Sequence, residues 1–309
     1  MIYYSLLSSF MLEIFVSVGA VFLTLMERRV LGYVQGRSGP GKVGYLGLFQ
    51  PFSDAIKLFS KEHVYPYVGN YLYYLFCPVF GLCMSLFIWL VIPYIGNLYM
   101  FDLGMLFVFC CLGLGVYSII FAGWASNSKY SLLGSFRSIA QMISYEVGLM
   151  VIMLSSFFLI KSLSFILFVE YQKYFWFVFL AFPVILMWFI MGLAETNRTP
   201  FDLAEGESEL VSGYNVEYMG GGFSLIVLSE YVSIIFMCLL MGVAGLGSDL
   251  FSLFFYLKLV YVSFIFVWIR GSFPRVRYDK LMSFSWSIIL PLSLNCMLYY
   301  SGFFIFLSK

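Results

Sequence analysis

The chain has 309 residues, 62% of them hydrophobic and 11% charged, and a formal net charge of +1. A soluble domain carries about 25% charged residues, and a water-facing surface cannot be covered with so little polar material. A water-soluble fold is therefore excluded, the bilayer is the expected solvent, and the charge balance gives no reason to expect nucleic acid or an acidic substrate as partner.

A helix needs about 20 mostly apolar residues to cross the hydrocarbon core. The first such run, 1–26, has no basic leader and no small-residue cleavage site after it, so a retained span is expected rather than a signal peptide. Glu13 within it reads as a packing residue bonded to an adjacent helix. The loop that follows opens with Gly36, Gly39, Pro40, Gly41 and Gly44, an irregular turn without a phosphate-loop pattern. Over 47–61 an amphipathic helix is predicted, lying at the membrane surface or against a neighbour. Leu48, Phe49, Phe52, Ile56 and Phe59 recur on one face, and Gln50, Ser53, Asp54, Lys57 and Lys61 take the other.

Further apolar runs fall near 71–95, 103–125, 138–160 and 174–194. Glu146 lies inside the fourth span and Glu195 closes the fifth. The loop over 195–217 then holds six of the sixteen acids, namely Glu195, Asp202, Glu205, Glu207, Glu209 and Glu217, against one base, Arg198. Thr199, Pro200 and Asp202 fit the cap and first turn of a short helix, with Glu205 and Glu209 on one face and Glu207 on another. Carboxylates crowded in this way cannot all ionise cheaply, so some are expected to exchange protons near neutral pH. The last spans lie near 218–247, 250–269 and 281–308. The sixth contains Glu230, and the seventh contains Lys258, which is expected to need a carboxylate or a wet cavity. The runs are continuous rather than alternating, so the expectation is an all-α polytopic membrane protein of eight transmembrane helices plus a surface helix, not a β-barrel.

Thirteen Lys and Arg fall in the loops on one side and three on the other. By the positive-inside rule the basic loops face matrix or cytoplasm, and an even number of spans leaves both termini outside. The six cysteines, Cys77, Cys83, Cys110, Cys111, Cys238 and Cys296, form no C-x-x-C pair and sit in apolar runs, where a thiol behaves as a small hydrophobe. The lone His63 reads as a solvated loop residue and makes no metal site by itself.

A carboxylate at a helix centre costs about 2.5–3.5 kcal/mol, so Glu146, Glu195 and Glu230 as a set point to a proton path rather than to packing alone. Arg28, Arg137, Arg198, Arg270, Arg275 and Arg277 stand at the basic ends of spans. They are candidates to hold carboxylates, besides marking the inside face.

Several segments resemble one family: 27–33 (ERRVLGY), 50–59 (QPFSDAIKLF), 123–130 (Gly123-Trp124 with Asn127 to Tyr130), 143–147 (ISYEV), 195–218 and 274–279 (PRVRYD). Together, in order from the first span to the last, they resemble the subunit 1 family of complex I, the proton-pumping NADH:ubiquinone oxidoreductase, in its animal mitochondrial form. The resemblance implies eight spans in the mitochondrial inner membrane, with both termini in the intermembrane space. The first span, surface helix and sixth span would frame an entrance for ubiquinone, the substrate. Arg28, Asp54, Lys57, Arg137 and Arg198 would line or brace its chamber. Glu146, Glu195, Asp202, Glu205, Glu207, Glu209, Glu217 and Glu230 would begin a proton route towards antiporter-like membrane subunits. Flavin and iron–sulfur clusters would belong to hydrophilic partner subunits, with lipids as the remaining contacts and no nucleic acid. Ser38 and Gly41 stand where the family often has lysine and asparagine. Three other readings stay open here: the membrane subunit of a related quinone- or ferredoxin-linked hydrogenase, a proton-coupled secondary transporter, and a passive anchor for a soluble module.

Overall fold

A computed structural model of the chain describes residues 2–92, 101–173, 175–204, 206, 213–247, 249–250 and 252–307. Among them the regular structure is all helical. Seven helices are long and apolar enough to cross a bilayer.

The first span, α1 (Ile2–Val34), runs two turns past its expected end. Glu27, Arg28 and Arg29 do not stop it because each finds a partner, described below. After α1, Gly44 and Gly47 both adopt φ 74°. A side chain at Gly47 would run into the Pro40 carbonyl, and one at Gly44 into the Phe49 ring. This turn returns the chain to the bundle as α2 (Gln50–Ser60), with Pro51 at its start.

α2 has three faces. Pro51, Asp54, Ala55 and Leu58 turn towards α1 and the sixth span. Phe49, Ile56 and Phe59 stay 62%, 69% and 62% exposed, and Ser53, Lys57 and Lys61 form the polar remainder. Phe52 meets Phe22 of α1 edge to face at 5.7 Å, which holds the apolar face at the depth of the first span.

α3 (Tyr71–Phe87) tightens into a 3₁₀ turn at Ile88–Val91, and the end of its predicted run lies outside the described residues. α4 (Gly104–Ala125) matches its predicted run closely. α5 (Lys129–Ile160) starts nine residues earlier than expected, because Ser128 caps it by accepting from the Ser131 amide at 3.3 Å. A short helix, α6 (Ile166–Tyr171), follows at the far end of the bundle.

The fifth run is broken. It forms α7 (Phe177–Leu180) and α8 (Phe182–Glu195), parted at Ala181 just before Pro183, which opens α8. A proline ring cannot continue a helix through the preceding turn. The pair still traverses the bundle, with Trp176 beside Lys258 at one end and Glu195 and Arg198 near Glu230 at the other.

The sixth span is α9 (Gly220–Gly245) and the seventh is α10 (Leu253–Ser272). The eighth joins α11 (Tyr278–Phe284) to α12 (Leu290–Leu307) through a wider π turn at Ser285–Ile289. Pro291 has no amide to give the Ser287 carbonyl, and the Leu290 amide reaches back five residues to Ser285. The core is built by α5, α8 and α9, with α3 and α4 on one flank and α1, α10 and α12 around the rest. Trp188 and Tyr145 are its largest fully buried side chains.

At the far end, Gln172 is buried. It donates to the carbonyls of Val243 and Ala244 at 3.0 and 2.9 Å and accepts from the Gly247 amide at 2.9 Å, capping α9. Lys258 donates to the Leu246 carbonyl at 2.6 Å and lies over the Trp176 ring at 4.1 Å, with the Asp249 carboxylate nearby. Carbonyls and ring faces near a helix end support a cation alongside its carboxylate. His63 is exposed, as expected, and rests over Gly221.

Candidate functional site

Successive residues of a helix point about 100° apart, so the end of α1 can address three elements at once. Glu27 is 6% exposed. Its Oε2 accepts from Tyr231 Oη of α9 at 2.5 Å, and its Oε1 pairs with Arg270 of α10. Arg28 pairs with Asp54 of α2, whose Oδ1 also accepts from Gln50 Nε2 at 3.1 Å. Arg29 donates to the Leu46 carbonyl of the glycine turn. Lys57 lies one turn beyond Asp54, exposed, and makes no ion pair among the described residues.

The turn after α8 carries the second group. Glu195 is buried, and its Oε2 has no hydrogen-bond partner among the described residues. Three residues on, Arg198 reaches Glu230 of α9 at 3.5 Å and lays its guanidinium over the Tyr231 ring at 4.4 Å. Glu230 Oε1 accepts from Tyr214 Oη at 2.7 Å. Asp202 pairs with Arg275 at 3.1 Å, next to a backbone bond from Val276 to the Pro200 carbonyl at 2.9 Å.

Residues 199–204 form turns, not the predicted start of a helix. The reason is competition for carbonyls. Gln141 of α5 is fully buried, and its amide donates to both Ala194 and Phe201, at 2.9 and 2.7 Å. The Pro200 and Phe201 oxygens that a helix would use internally are already taken. Glu205, Glu207 and Glu209 lie outside the described residues.

Glu217 enters through its backbone, where its carbonyl accepts from Tyr74 Oη at 2.8 Å. Arg137 is half-buried one turn before Gln141 on α5. Glu146 faces α4 at Gly113, where any side chain would come within 3.0 Å of its Oε1. It lies near Glu195, the second buried carboxyl of this region.

Glu195 and Glu230 open onto one cavity of about 110 Å³ lined by residues of α3, α4, α5, α8 and α9. The hydroxyls of Ser118, Ser229 and Tyr214 line it as well. That volume and lining suit a few water molecules. The two groups of residues meet at Tyr231, whose hydroxyl serves Glu27 while its ring carries Arg198. A chain of contacts therefore runs from Arg270 and Glu27 through Tyr231 and Arg198 to Glu230. Of the predicted residues, the structure joins Arg28 with Asp54, Arg198 with Glu230, and Glu195 with Glu146 and Glu230. The expected arginine–carboxylate pairing holds for Arg28, Arg198, Arg270 and Arg275, and at the exposed surface for Arg277 with Asp279. Lys57 and Glu217 bring no side-chain contact to the line. Glu27, Gln141, Tyr214 and Tyr231 belong to it and were missed. The available signal was that a buried arginine or glutamate requires a partner, and Tyr231 directly follows Glu230. Among the described residues no group of three His, Cys, Asp or Glu is placed to hold a metal.

The sequence model of the NADH dehydrogenase family matches residues 7–301. The chain belongs to that family. Within it, the chain is 58% identical to the NADH-ubiquinone oxidoreductase chain 1 of Anopheles gambiae over 97% of its own length and 96% of the relative's. It is 57% identical to that of Aedes aegypti, over 98% and 97%. Among mammals, it is 46% identical to that of Sminthopsis macroura, over 93% and 92%. The similarity extends over nearly the full length of these relatives and is not confined to one motif.

Proposed function

We infer that this chain is a multi-spanning membrane subunit of the mitochondrial NADH:ubiquinone oxidoreductase, complex I, where it serves as part of the enzyme and is not catalytic alone. Full-length similarity to chain 1 of that enzyme in insects and mammals supports this reading and does not favour a hydrogenase subunit or a transporter. Its partners are the other complex I subunits, with the quinone-site hydrophilic subunits on the basic side and antiporter-like subunits in the membrane. The basic rim faces the matrix, and both termini lie in the intermembrane space.

Ubiquinone is the substrate, and it enters between α1, α2 and α9. Arg28, Asp54, Lys57, Arg137 and Arg198 line or brace its chamber. Flavin and iron–sulfur clusters of partner subunits deliver the electrons. Two electrons and two protons convert the quinone to the quinol, so reduction creates a demand for protons at the rim. The line from Glu27 through Tyr231, Arg198 and Glu230 to the cavity at Glu195 supports a route that senses that demand. It passes it inward to Glu146 and, with Asp202, Glu205, Glu207, Glu209 and Glu217, towards the antiporter-like subunits. Where this linkage is an equilibrium effect it is reciprocal, so the protonation of the acids also shifts quinone affinity.

The observation that carries the reading is the meeting of Glu195 and Glu230 at one cavity between the helices. In the intact complex, Glu195→Gln is expected to lower quinone reduction or the protons pumped per electron, with the chain still assembled in the membrane. Normal rate and normal stoichiometry in that variant would refute the role of Glu195.

A further inference from the structure

At the end of the bundle away from the basic rim, Lys161 follows the last residue of α5 with φ 65° and ψ 20°. That left-handed conformation costs a residue with a side chain about 1–2 kcal/mol, and helices usually place glycine there. Its ammonium lies 4.7 Å from the centre of the Phe304 ring of α12. It makes no ion pair with a carboxylate among the described residues. Beside it, the Ser162 hydroxyl is buried without a hydrogen-bond partner among the described residues. Next to these two groups a cleft of about 290 Å³ opens between α5 and α12, lined otherwise by Leu154, Phe157, Phe158, Leu163 and Phe304. Leu154 lies about 10 Å below Lys161 along the helix, so the cleft descends into the apolar layer.

We propose that this cleft seats one phospholipid of the leaflet opposite the basic rim. Its phosphate takes hydrogen bonds from Lys161 Nζ and Ser162 Oγ, and one acyl chain lies between α5 and α12. Each part of the site selects for that occupant. An ammonium has three donors and no acceptor, and at the end of a span it stands at headgroup level. A soluble anion would satisfy Lys161 and leave the apolar trough without a reason. A quinone tail would fill the trough and leave the cation without an anion. The strained backbone at Lys161 is explained when the side chain, rather than the turn, is what the position requires.

The test uses the intact complex in nanodiscs of phosphatidylcholine and phosphatidylglycerol, with a photoreactive phenylalanine analogue at position 158 and the adducts identified by mass spectrometry. Phospholipid adducts are expected. Lys161→Gly, which suits the left-handed turn and so spares the helix end, is expected to lower them about tenfold, the loss of one charge-assisted hydrogen bond. Lys161→Arg is expected to retain them. The proposal is overturned by adducts to a neighbouring subunit's protein or to quinone. It is equally overturned by unchanged phospholipid adducts in Lys161→Gly, or by protection with inorganic phosphate in place of any lipid adduct.

Discussion

Tyr231 holds two charges of opposite sign with different parts of one side chain, its hydroxyl on Glu27 and its ring under Arg198. The two contacts can be separated. Tyr231→Phe keeps the ring and removes a hydrogen bond to a charged group, worth about 1.5–3 kcal/mol. The expected outcome is slower quinone reduction with Arg198 still seated, checked by steady-state rates on the assembled complex; an unchanged rate would remove the hydroxyl from the line. The rim pairs differ in weight. Arg28 and Asp54 are 50% and 32% exposed, and such a pair contributes about 0–1 kcal/mol. Asp54→Asn is therefore expected to weaken quinone handling without loosening the fold, seen as a raised apparent KM at unchanged melting temperature. Glu27 is 7% exposed against Arg270, and removing one partner of a buried pair costs about 3–5 kcal/mol. Glu27→Ala is expected to reduce the amount of assembled complex, measured on native gels.

At the scale of elements, the turn between α8 and α9 is shaped by a residue outside it. Gln141 fastens the carbonyls at both ends of the stretch that bears Glu195 and Arg198. Gln141→Leu removes one hydrogen bond from each of two buried carbonyls, which keep only the turn bonds from the Asn197 and Leu203 amides, at about 0.5–1.5 kcal/mol each, and frees the stretch to coil towards the helix its sequence favours. The check is coupling. Protons pumped per electron are expected to fall more than electron transfer itself, and an equal fall in both would argue for general destabilisation instead. This turn also marks the limit of reading the sequence. Thr199, Pro200 and Asp202 carry a sound local signal for a helix start, and no local rule contains a glutamine 60 residues away. Span positions were legible because twenty apolar residues in a row have few alternatives. The end of α1 was not, because charged residues that find partners extend a helix past the point where hydropathy ends, and neither was the start of α5, which a serine cap sets ahead of the apolar run. The arginine–carboxylate pairs were foreseeable in kind, since buried charges need partners. Which arginine meets which acid depended on how α1, α9 and α10 pack.

For the molecule as a whole, the count of crossings decides where the ends lie. Seven long helices alone would put the termini on opposite sides, and the proposed eighth crossing by α7 with α8 would return them to the same side. Tags at residues 1 and 309 are expected to be cleaved together by a protease outside the inner membrane of mitoplasts; cleavage of one alone would mean that the broken pair does not cross. The break at Ala181 and Pro183 also has a consequence for biogenesis. At 14 residues α8 is shorter than the span of a bilayer, and it ends on a glutamate that insertion machinery disfavours. Because it packs against α5, it is expected to enter the membrane together with that helix, so that Glu146 and Glu195 are covered by protein as they insert.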